Sequence, residues 1–383
     1  LRLINCDNNL LTNLDLSSKP LLSSIECNYN QLSVLNVSSD TLLTTLKCRQ
    51  NNLQNLDVST NSHLDYLDCS FNELSFLDIE NNSILNRLIC NNNFLSNLNL
   101  SSNILLEALD CSRNSLSFLD VSLNPDLTHL YCRNNLLTDL DLSLNPEIYS
   151  VVCDSNYFSN LNFALNPLLE GLTCSGNNLL DLEISTNTGL KLLRCDDCNL
   201  NTLDLSFLNE LGVLACSGNN LVNLDLSAKH QLDFLDCSDN HLTYLNFQNG
   251  NNENIFSYDF HASGNPMLNC IQVDSVPFSN FNWPDIDPWS SFSTYCPVGI
   301  NEIGSKDKIS VYPNPALNEL NIESNNTLPF HLEIYSNLGI RLFSMSLSDN
   351  LNKVDISGLL PDLYLLKLTD IDNNFKLFNI IKQ

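Results

Sequence analysis

The stretch that decides the fold of this chain is Leu64-Asp65-Tyr66-Leu67-Asp68-Cys69-Ser70-Phe71-Asn72-Glu73-Leu74-Ser75-Phe76-Leu77-Asp78-Ile79. Its cysteine is one of twelve that recur at an unbroken spacing of 21 residues. They are Cys6, Cys27, Cys48, Cys69, Cys90, Cys111, Cys132, Cys153, Cys174, Cys195, Cys216 and Cys237. A spacing this strict predicts stacked, near-identical coils, each packed against its neighbours.

The other apolar residues keep fixed distances from each cysteine. The repeating unit is L-x-x-L-x-C-x-x-N-x-L-x-x-L-x-Φ-S-x-N-x-x, in which Φ is an aliphatic residue or Phe. Because alternate residues of a strand face the same way, Leu67 and Cys69 should point inward and Tyr66, Asp68 and Ser70 outward. The L-D-L-S half of the unit is also extended and predicts a second, shorter parallel stack.

This unit resembles the leucine-rich repeat, L-x-x-L-x-L-x-x-[N/C]-x-L, with Cys in the third apolar position. The 21-residue period and the second half L-x-x-L-D-L-S-x-N resemble the nested bacterial subtype. The resemblance covers residues 1–252 and implies a mainly β solenoid of about twelve coils with parallel sheets. The Asn that stands three residues after each cysteine should form hydrogen bonds with the backbone of its own and the next coil. Cys198 replaces this Asn once, as the family pattern permits.

Charge and hydropathy exclude several functions. The chain of 383 residues has a formal charge of −27, which argues against nucleic-acid binding and against docking on anionic lipid. Residues 1–252 contain 10 basic and 29 acidic residues, so no acidic tail accounts for the imbalance. No apolar run reaches 18 residues, and we expect no membrane-spanning helix. Leu1 already lies inside the first repeat, so we expect a processed or trimmed chain.

The fifteen cysteines allow several interpretations. Cys195-Asp196-Asp197-Cys198 has the C-x-x-C spacing of redox and zinc sites, but the repeat accounts for both of its cysteines. We therefore expect free, buried thiols and no metal site. Cys270 and Cys296 lie outside the period, and we expect them to form a disulfide that closes a loop. The alternative is two buried thiols.

Three outward positions flank the inward Leu and Cys of each coil. Five of the ten basic residues of the solenoid occupy them: Lys47, Arg49, Arg87, Arg133 and Arg194. A mixture of Arg, aromatic and apolar side chains is typical of recognition surfaces. The predicted ligand-binding residues are Arg49, Tyr66, Arg87, Ile89, His129, Tyr131, Arg133 and Val152. The alternative is the ordinary variation of a strand surface.

A second row of polar residues precedes Φ in each coil, and eight of its twelve members are acidic. Its members are Asp15, Asn36, Asp57, Asp78, Asn99, Asp120, Asp141, Asn162, Glu183, Asp204, Asp225 and Asn246. Either each side chain accepts a local backbone N–H bond, or cations such as calcium lie between the coils. Because Asn substitutes freely, we favour the first explanation and expect no cofactor.

The repeats end near residue 252. Residues 253–296 are rich in aromatic residues and should form a cap over the last coil, and residues 297–308 should form a linker. Short alternating strands follow in residues 309–383 and predict a small antiparallel β-sandwich.

This tail resembles the C-terminal sorting domain of the type IX secretion system of Bacteroidetes. The matching elements are Tyr312-Pro313-Asn314-Pro315, Ile334-Tyr335-Ser336-Asn337-Leu338-Gly339, Leu360 to Tyr364, and Ile380-Ile381-Lys382-Gln383. Asp362 stands where the family usually has Gly. The resemblance implies export to the surface of a Gram-negative bacterium, followed by attachment or release, with the secretion machinery as a partner. The alternative is a generic Ig-like module.

No catalytic motif is present: the chain lacks G-x-S-x-G, H-E-x-x-H and a phosphate loop. The first hypothesis is a surface or secreted binding protein, adhesin-like, that recognises a protein or glycan on the concave strand face. The second is a structural surface or matrix component without a specific ligand. An enzyme would need a further domain or a site in the cap.

Overall fold

The computed structural model describes residues 1–17, 19, 21–296, 309–324, 330–336, 340–347, 351–369 and 375–383. The chain separates into two compact units, residues 1–296 and 297–383, and each is described by itself. The predicted linker at 297–308 and the predicted turn at 337–339 lie outside the described residues.

The first unit consists of short strands, most of them three residues long. Its elements are β1 (Leu3–Asn5), β2 (Ser24–Glu26), β3 (Thr45–Lys47), β4 (Tyr66–Asp68), β5 (Arg87–Ile89), β6 (Ala108–Asp110), β7 (His129–Tyr131), β8 (Ser150–Val152), β9 (Asn160–Asn162), β10 (Gly171–Thr173), β11 (Asp181–Glu183), β12 (Leu192–Arg194), β13 (Val213–Ala215), β14 (Asn223–Asp225), β15 (Phe234–Asp236), β16 (Tyr244–Phe247), a 3-10 helix (Asn252–Asn254), β17 (Phe260–His261), β18 (Cys270–Val273), α1 (Val276–Asn282) and β19 (Ser291–Ser293).

Thirteen of these strands form one parallel sheet in the order β1-β2-β3-β4-β5-β6-β7-β8-β10-β12-β13-β15-β17. Neighbouring strands pair in the register of the repeat, so that Leu67 lies beside Leu88. The sheet is parallel because every coil passes through it in the same direction. The predicted parallel solenoid is confirmed, with about fourteen turns.

The second parallel stack, predicted for the L-D-L-S segments, forms in only some of the coils. β9 pairs with β11, and β14, β16, β18 and β19 form a four-stranded sheet. In the other described coils the L-D-L-S segment forms no strand. The side chain of its acidic or Asn residue accepts the backbone N–H two residues later, as Asp57 does from Ser59 at 3.0 Å. The coils that do form strands make the same bond, as Asp225 does from Ser227 at 3.0 Å, so this bond does not decide where the second stack pairs.

The interior of the solenoid is filled by the residues of the repeat. Leu67, Cys69 and Leu74 are fully buried, as are their equivalents in the neighbouring coils. Thirteen cysteines are free thiols, twelve of them buried, and Cys6 in the first coil is half-buried. Burial raises the pKa of the Cys132 thiol to about 12. The prediction that the twelve repeat cysteines and Cys198 are free thiols is therefore confirmed.

An asparagine ladder supports the turn after each main strand. The Asn72 amide donates to the carbonyls of Cys69 and, in the preceding coil, Cys48. Its oxygen accepts the Leu53 N–H at 3.0 Å. The same three contacts recur at successive coils, so the predicted ladder is confirmed. It satisfies backbone groups that would otherwise be buried without partners.

A second ladder lies at the S-x-N position of the repeat, where the sequence analysis assigned no role. Its asparagines are Asn61, Asn82, Asn103, Asn124, Asn145, Asn166 and Asn187, and all are buried. Each donates to two carbonyls of the preceding coil, as Asn61 does to Val37 at 3.0 Å and Asp40 at 2.9 Å. At the same position stand Asp40 in the second coil and Lys229 in the eleventh, and both are buried.

Residues 253–296 continue the solenoid instead of only covering its end. β17 extends the main sheet, Ala262 occupies the place of the cysteine, and Asn265 continues the first ladder by donating to Cys237. The buried Trp283 stacks on Phe260 with ring centroids 4.3 Å apart. These residues add two further turns, so the solenoid has more turns than the twelve that the repeat cysteines mark.

A disulfide joins Cys270 to Cys296. Their Cα atoms are 5.7 Å apart, and the bridge links the start of β18 to the end of the first unit. It closes a sequence separation of 26 residues around α1 and β19.

The second unit contains β20 (Ile309–Tyr312), β21 (Glu319–Ser324), β22 (Phe330–Ser336), β23 (Arg341–Leu347), β24 (Leu351–Asp355), β25 (Asp362–Thr369) and β26 (Phe375–Lys382). They form two antiparallel sheets, ordered β20-β21-β24 and β23-β22-β25-β26. Leu320 and Ile322 from one sheet share a buried cluster with Leu332 and Leu366 from the other. The antiparallel sandwich predicted for the tail is confirmed.

Candidate functional site on the strand face

The eight predicted ligand-binding residues lie on the outward side of the thirteen-stranded sheet, which we call the strand face. They occupy the third to the eighth coil, within or directly after β3, β4, β5, β7 and β8. Parallel pairing places Tyr66 beside Arg87 and Tyr131 beside Val152. Arg87 and Arg133 are exposed, and the other six are half-buried.

A group of cations and aromatic rings forms the N-terminal part of the strand face. The Tyr66 ring contacts the Arg87 guanidinium at 5.8 Å from its centroid and the Lys47 ammonium at 5.5 Å. Lys47 also forms an ion pair with Glu26 at 2.9 Å. Cation–π contacts of this kind hold charged side chains in place at the surface.

Arg49 lies between two rings that the sequence analysis did not include. Its guanidinium is 5.9 Å from the Tyr29 centroid and 4.6 Å from that of Phe71. Both aromatic residues have positive φ angles, of 55° and 54°, at the position two after the cysteine. Seven of the other ten coils place Asn, Asp or Gly at this position, such as Asn92, and the remaining three have Gln50, Arg113 and Ser155. Bulky residues tolerate a left-handed conformation poorly, and this is the sequence signal that could have identified Tyr29 and Phe71.

The centre of the strand face carries a second aromatic group. His129 contacts Tyr131 and Tyr149 with ring centroids 6.4 and 5.7 Å apart. The Tyr149 hydroxyl donates to Glu170 at 2.7 Å, and Lys191 pairs with the same carboxylate at 2.7 Å. Tyr149 was missed because it precedes its strand, outside the three outward positions.

Two of the residues predicted to point outward, Asp68 and Ser70, are covered by their neighbours. Asp68 is 8% exposed, and Ser70 is fully buried. The Ser70 hydroxyl donates to the Asp68 carboxylate at 2.6 Å. Ser70 also lies in one row between the longer side chains of Arg49 and Asn91, which leaves little access for solvent. Both residues therefore lie on the strand face but present little surface to a ligand.

The acidic row before Φ is explained by local hydrogen bonds. All twelve side chains accept the backbone N–H two residues later, from Ser17 on Asp15 at 2.9 Å to Gln248 on Asn246 at 3.1 Å. Bonds from Ser122 lower the pKa of Asp120. The first of the two explanations is confirmed. Among the described residues, no group of three or more His, Cys, Asp or Glu is arranged to hold a metal ion.

The C-terminal part of the strand face contains aromatic residues that the sequence analysis did not select. Arg194 lies 5.3 Å from the Phe234 centroid. Phe256 and Tyr258 stack with centroids 5.6 Å apart and an angle of 6°, and they are 64% and 68% exposed. They fall in the irregular coil after residue 252, where the 21-residue spacing no longer assigns positions.

A comparison with protein families matches residues 310–382 to the secretion system C-terminal sorting domain. The chain is a leucine-rich-repeat protein with a C-terminal sorting domain. The sorting domain indicates an exported protein, secreted or at the cell surface, that uses type IX secretion. Within the described residues, the search for a long apolar helix that could cross a membrane finds none. A comparison with curated proteins gives no match.

Solved structures give the same fold for the repeats. The functional domain of InlJ from Listeria monocytogenes, which includes a cysteine ladder, is 23% identical with a TM-score of 0.54, covering 100% of this chain and 86% of that one. A Leptospira interrogans leucine-rich-repeat protein is 18% identical, with a TM-score of 0.57 and 72% of each chain covered. YopM from Yersinia enterocolitica is 26% identical, with a TM-score of 0.52, covering 71% of this chain and 65% of that one.

Proposed function

We propose that this leucine-rich-repeat protein is a cell-surface or secreted binding protein that recognises another protein through its strand face. The observation that carries the proposal is the placement of cations on aromatic rings across this face. Arg49, Arg87 and Arg194 each lie within 6 Å of an aromatic centroid. Arg, Tyr and Trp are the residues that contribute most to protein interfaces. A solenoid presents them on one extended, rigid surface.

The composition of the rest of the surface supports the same conclusion. The chain has a net charge of −27, yet the solenoid places Lys47 and the guanidinium groups of the strand face on one side. A structural matrix component would need length and solubility, but it would not need five of the ten basic residues of the solenoid on one face. We also propose that the protein acts by binding alone, without catalysis or a cofactor, and that its sorting domain leads to attachment at the outer-membrane surface or release.

A pair of double variants tests the proposal. Arg87→Glu with Tyr131→Ala changes the strand face, and Asp57→Lys with Phe76→Ala changes the L-D-L-S side of two nearby coils, the third and the fourth. Full-length proteins are applied to an array of surface and extracellular-matrix proteins, and thermal unfolding is followed in parallel. We expect the strand-face variant to lose its binding signals while its melting temperature stays within about 3 °C of the parent. The variant on the L-D-L-S side should bind normally. Equal binding by both variants would favour the structural role.

A further inference from the structure

A groove runs along the solenoid on the side of the L-D-L-S segments, outside the strand face. Between the fifth and the eighth coil it consists of three adjoining cavities of about 240, 330 and 320 Å³. The first two cavities share Phe118 and Asp120, and the last two share Asp139, Asp141 and Ser143. We call this stretch the side groove. Four coils at a spacing of about 4.8 Å make it about 14 Å long.

Exposed leucines form one edge of the side groove. Leu123, Leu144 and Leu165 stand twelve residues after the repeat cysteines of three consecutive coils, and they are 53%, 58% and 60% exposed. Seven of the other nine coils have Ser, Thr or Asn at this position, so the core of the repeat does not need an apolar residue there. An exposed row of apolar side chains is typical of an interaction surface.

The groove carries carboxylates and no cation. At the positions six, seven, nine, eleven and twelve residues after the repeat cysteine, the twelve coils contain eleven Asp or Glu residues and no Lys, Arg or His. In the side groove the acidic residues are Asp120, Asp139 and Asp141, and all three are exposed. Hydrogen bonds from the side chain and the backbone of Ser143 lower the pKa of Asp141, although the negative charge of Asp120 opposes this shift. In the ranges that the structure describes, none of the three carboxylates forms an ion pair.

A basic side chain of a partner suits these carboxylates better than a metal ion or a second copy of the chain. Calcium takes about six to eight oxygen ligands, and among the described residues no group of three or more His, Cys, Asp or Glu is arranged to hold a metal ion. A second copy would bring a further net charge of −27. The ammonium of Lys or the guanidinium of Arg needs only acceptors, and its aliphatic stem can lie on apolar surface.

We propose that the side groove binds an extended segment of another protein in which Lys or Arg alternates with apolar residues. Alternate side chains of an extended chain point to opposite sides, so the basic ones meet the carboxylates while the apolar ones meet the leucine edge. Five residues of such a segment span about 14 Å, the length of the side groove. This interaction goes beyond the proposed function, because it uses a different surface and a different chemistry from the strand face.

A short peptide with this pattern serves as the probe. Binding of fluorescein-labelled Leu-Lys-Leu-Lys-Leu to the full-length protein is measured by fluorescence anisotropy at low and moderate salt. The peptide Ser-Lys-Ser-Lys-Ser keeps the charge and lacks the apolar side chains, and Leu-Glu-Leu-Glu-Leu reverses the charge. Because the whole chain is acidic, the first control peptide measures how much of the binding is general electrostatic attraction.

Two variants separate the leucines of the side groove from its carboxylates. Leu123→Ser, Leu144→Ser, Leu165→Ser gives each of these coils the kind of residue that most other coils have at this position. Asp120→Asn with Asp141→Asn removes two charges and keeps the side-chain oxygens that accept the local N–H bonds at 2.9 Å.

We expect Leu-Lys-Leu-Lys-Leu to bind about tenfold more tightly than either control peptide and to weaken as salt rises. Each of the two groove variants should weaken this binding about fivefold or more. Asp57→Asn with Asp78→Asn is the matched control, because it removes two charges from the same row outside the side groove. It should change the affinity less than about twofold. Circular dichroism establishes that each variant is folded.

Several results would overturn this assignment of the side groove. They are the absence of peptide binding up to about 1 mM, equal binding by the parent and the folded groove variants, and equal binding of the Leu-Lys and Ser-Lys peptides. Analytical ultracentrifugation gives a further test. Concentration-dependent dimers of the parent that the leucine variant abolishes would mean that a second copy of the chain occupies the side groove.

The proposed function is tested separately from the side groove. The strand-face variant with Arg87→Glu and Tyr131→Ala should bind the peptide as the parent does. On the protein array, signals that this variant keeps and the groove variants lose come from the side groove. Failure of the peptide test would therefore leave recognition by the strand face intact, and the reverse also holds.

Discussion

Replacing Asp40 by Asn should stabilise this protein, because Asp40 occupies an asparagine position of the second ladder. Asp40 is fully buried, and among the residues that the structure describes neither of its carboxyl oxygens has a hydrogen-bond partner. At the equivalent position one coil later, Asn61 donates to two carbonyls at 3.0 and 2.9 Å. An asparagine at position 40 can donate in the same way to the carbonyls of Leu16 and Lys19, which precede it by the same numbers of residues.

The size of the effect follows from these contacts. Two new hydrogen bonds contribute about 1 kcal/mol each, and removal of an unpartnered buried carboxyl group adds about 1 kcal/mol or more. We expect Asp40→Asn to raise the free energy of unfolding by about 3 kcal/mol at pH 8, and the melting temperature by several degrees.

The gain should also depend on pH. Burial raises the pKa of Asp40, although the positive charge of Lys19 opposes the shift. The native protein therefore binds this proton more tightly than the unfolded chain, whose Asp pKa is about 3.9. Stability from the protonated group is present below that value and is lost as pH rises through the native pKa. The variant lacks this loss, so its advantage over the parent should grow as pH rises from below about 3.9 through the native pKa of Asp40.

Thermal and urea unfolding, followed by circular dichroism at pH 5 and pH 8, measure both effects and avoid the isoelectric region near the sequence pI of about 4.2. Asn61→Asp is the matched control, because it places the same carboxyl group one coil further along the ladder and should destabilise the protein. An unchanged unfolding midpoint for Asp40→Asn at pH 8, or a gain that is smaller at pH 8 than at pH 5, would refute the reasoning.

Three further results are expected. Lys229→Asn should also stabilise the solenoid by about 1–3 kcal/mol, because the Lys229 ammonium is buried and has no partner in the described part of the chain. Burial lowers the pKa of Lys229, so the gain in urea midpoint should shrink as pH rises toward the unfolded lysine pKa of about 10.4. Thiol titration of the denatured protein should give thirteen free thiols before reduction and fifteen after it, and fewer than thirteen before reduction would mean that repeat cysteines form disulfides. Addition of calcium at 5 mM should leave the melting temperature unchanged, since the acidic row is occupied by local N–H bonds; a rise of several degrees would instead show that cations bind the native state.

The sequence alone determined the solenoid and its core. Because every coil contributes the same residues at a spacing of 21, inward Leu67 and Cys69, the first asparagine ladder and the acidic row could each be identified from one coil and applied to the others. The sequence also predicted the antiparallel sandwich of the tail, because its short alternating strands and its motifs all lie within residues 309–383. Local patterns were sufficient here because each coil contacts only its neighbours.

Only the tertiary structure showed which outward residues are exposed to a ligand and which contacts fix their side chains. The sequence placed Asp68 and Ser70 on the same surface as Arg49 and Arg87, but only the packing of adjacent coils shows that the first two satisfy each other. Tyr29 and Phe71 became part of the candidate site because the left-handed turn directs both rings against the Arg49 guanidinium. The extra turns beyond residue 252 likewise depend on contacts made by Phe260 and Trp283. Periodicity fixes which way a side chain points, whereas its partners are set by the residues of the neighbouring coils, which differ from one coil to the next.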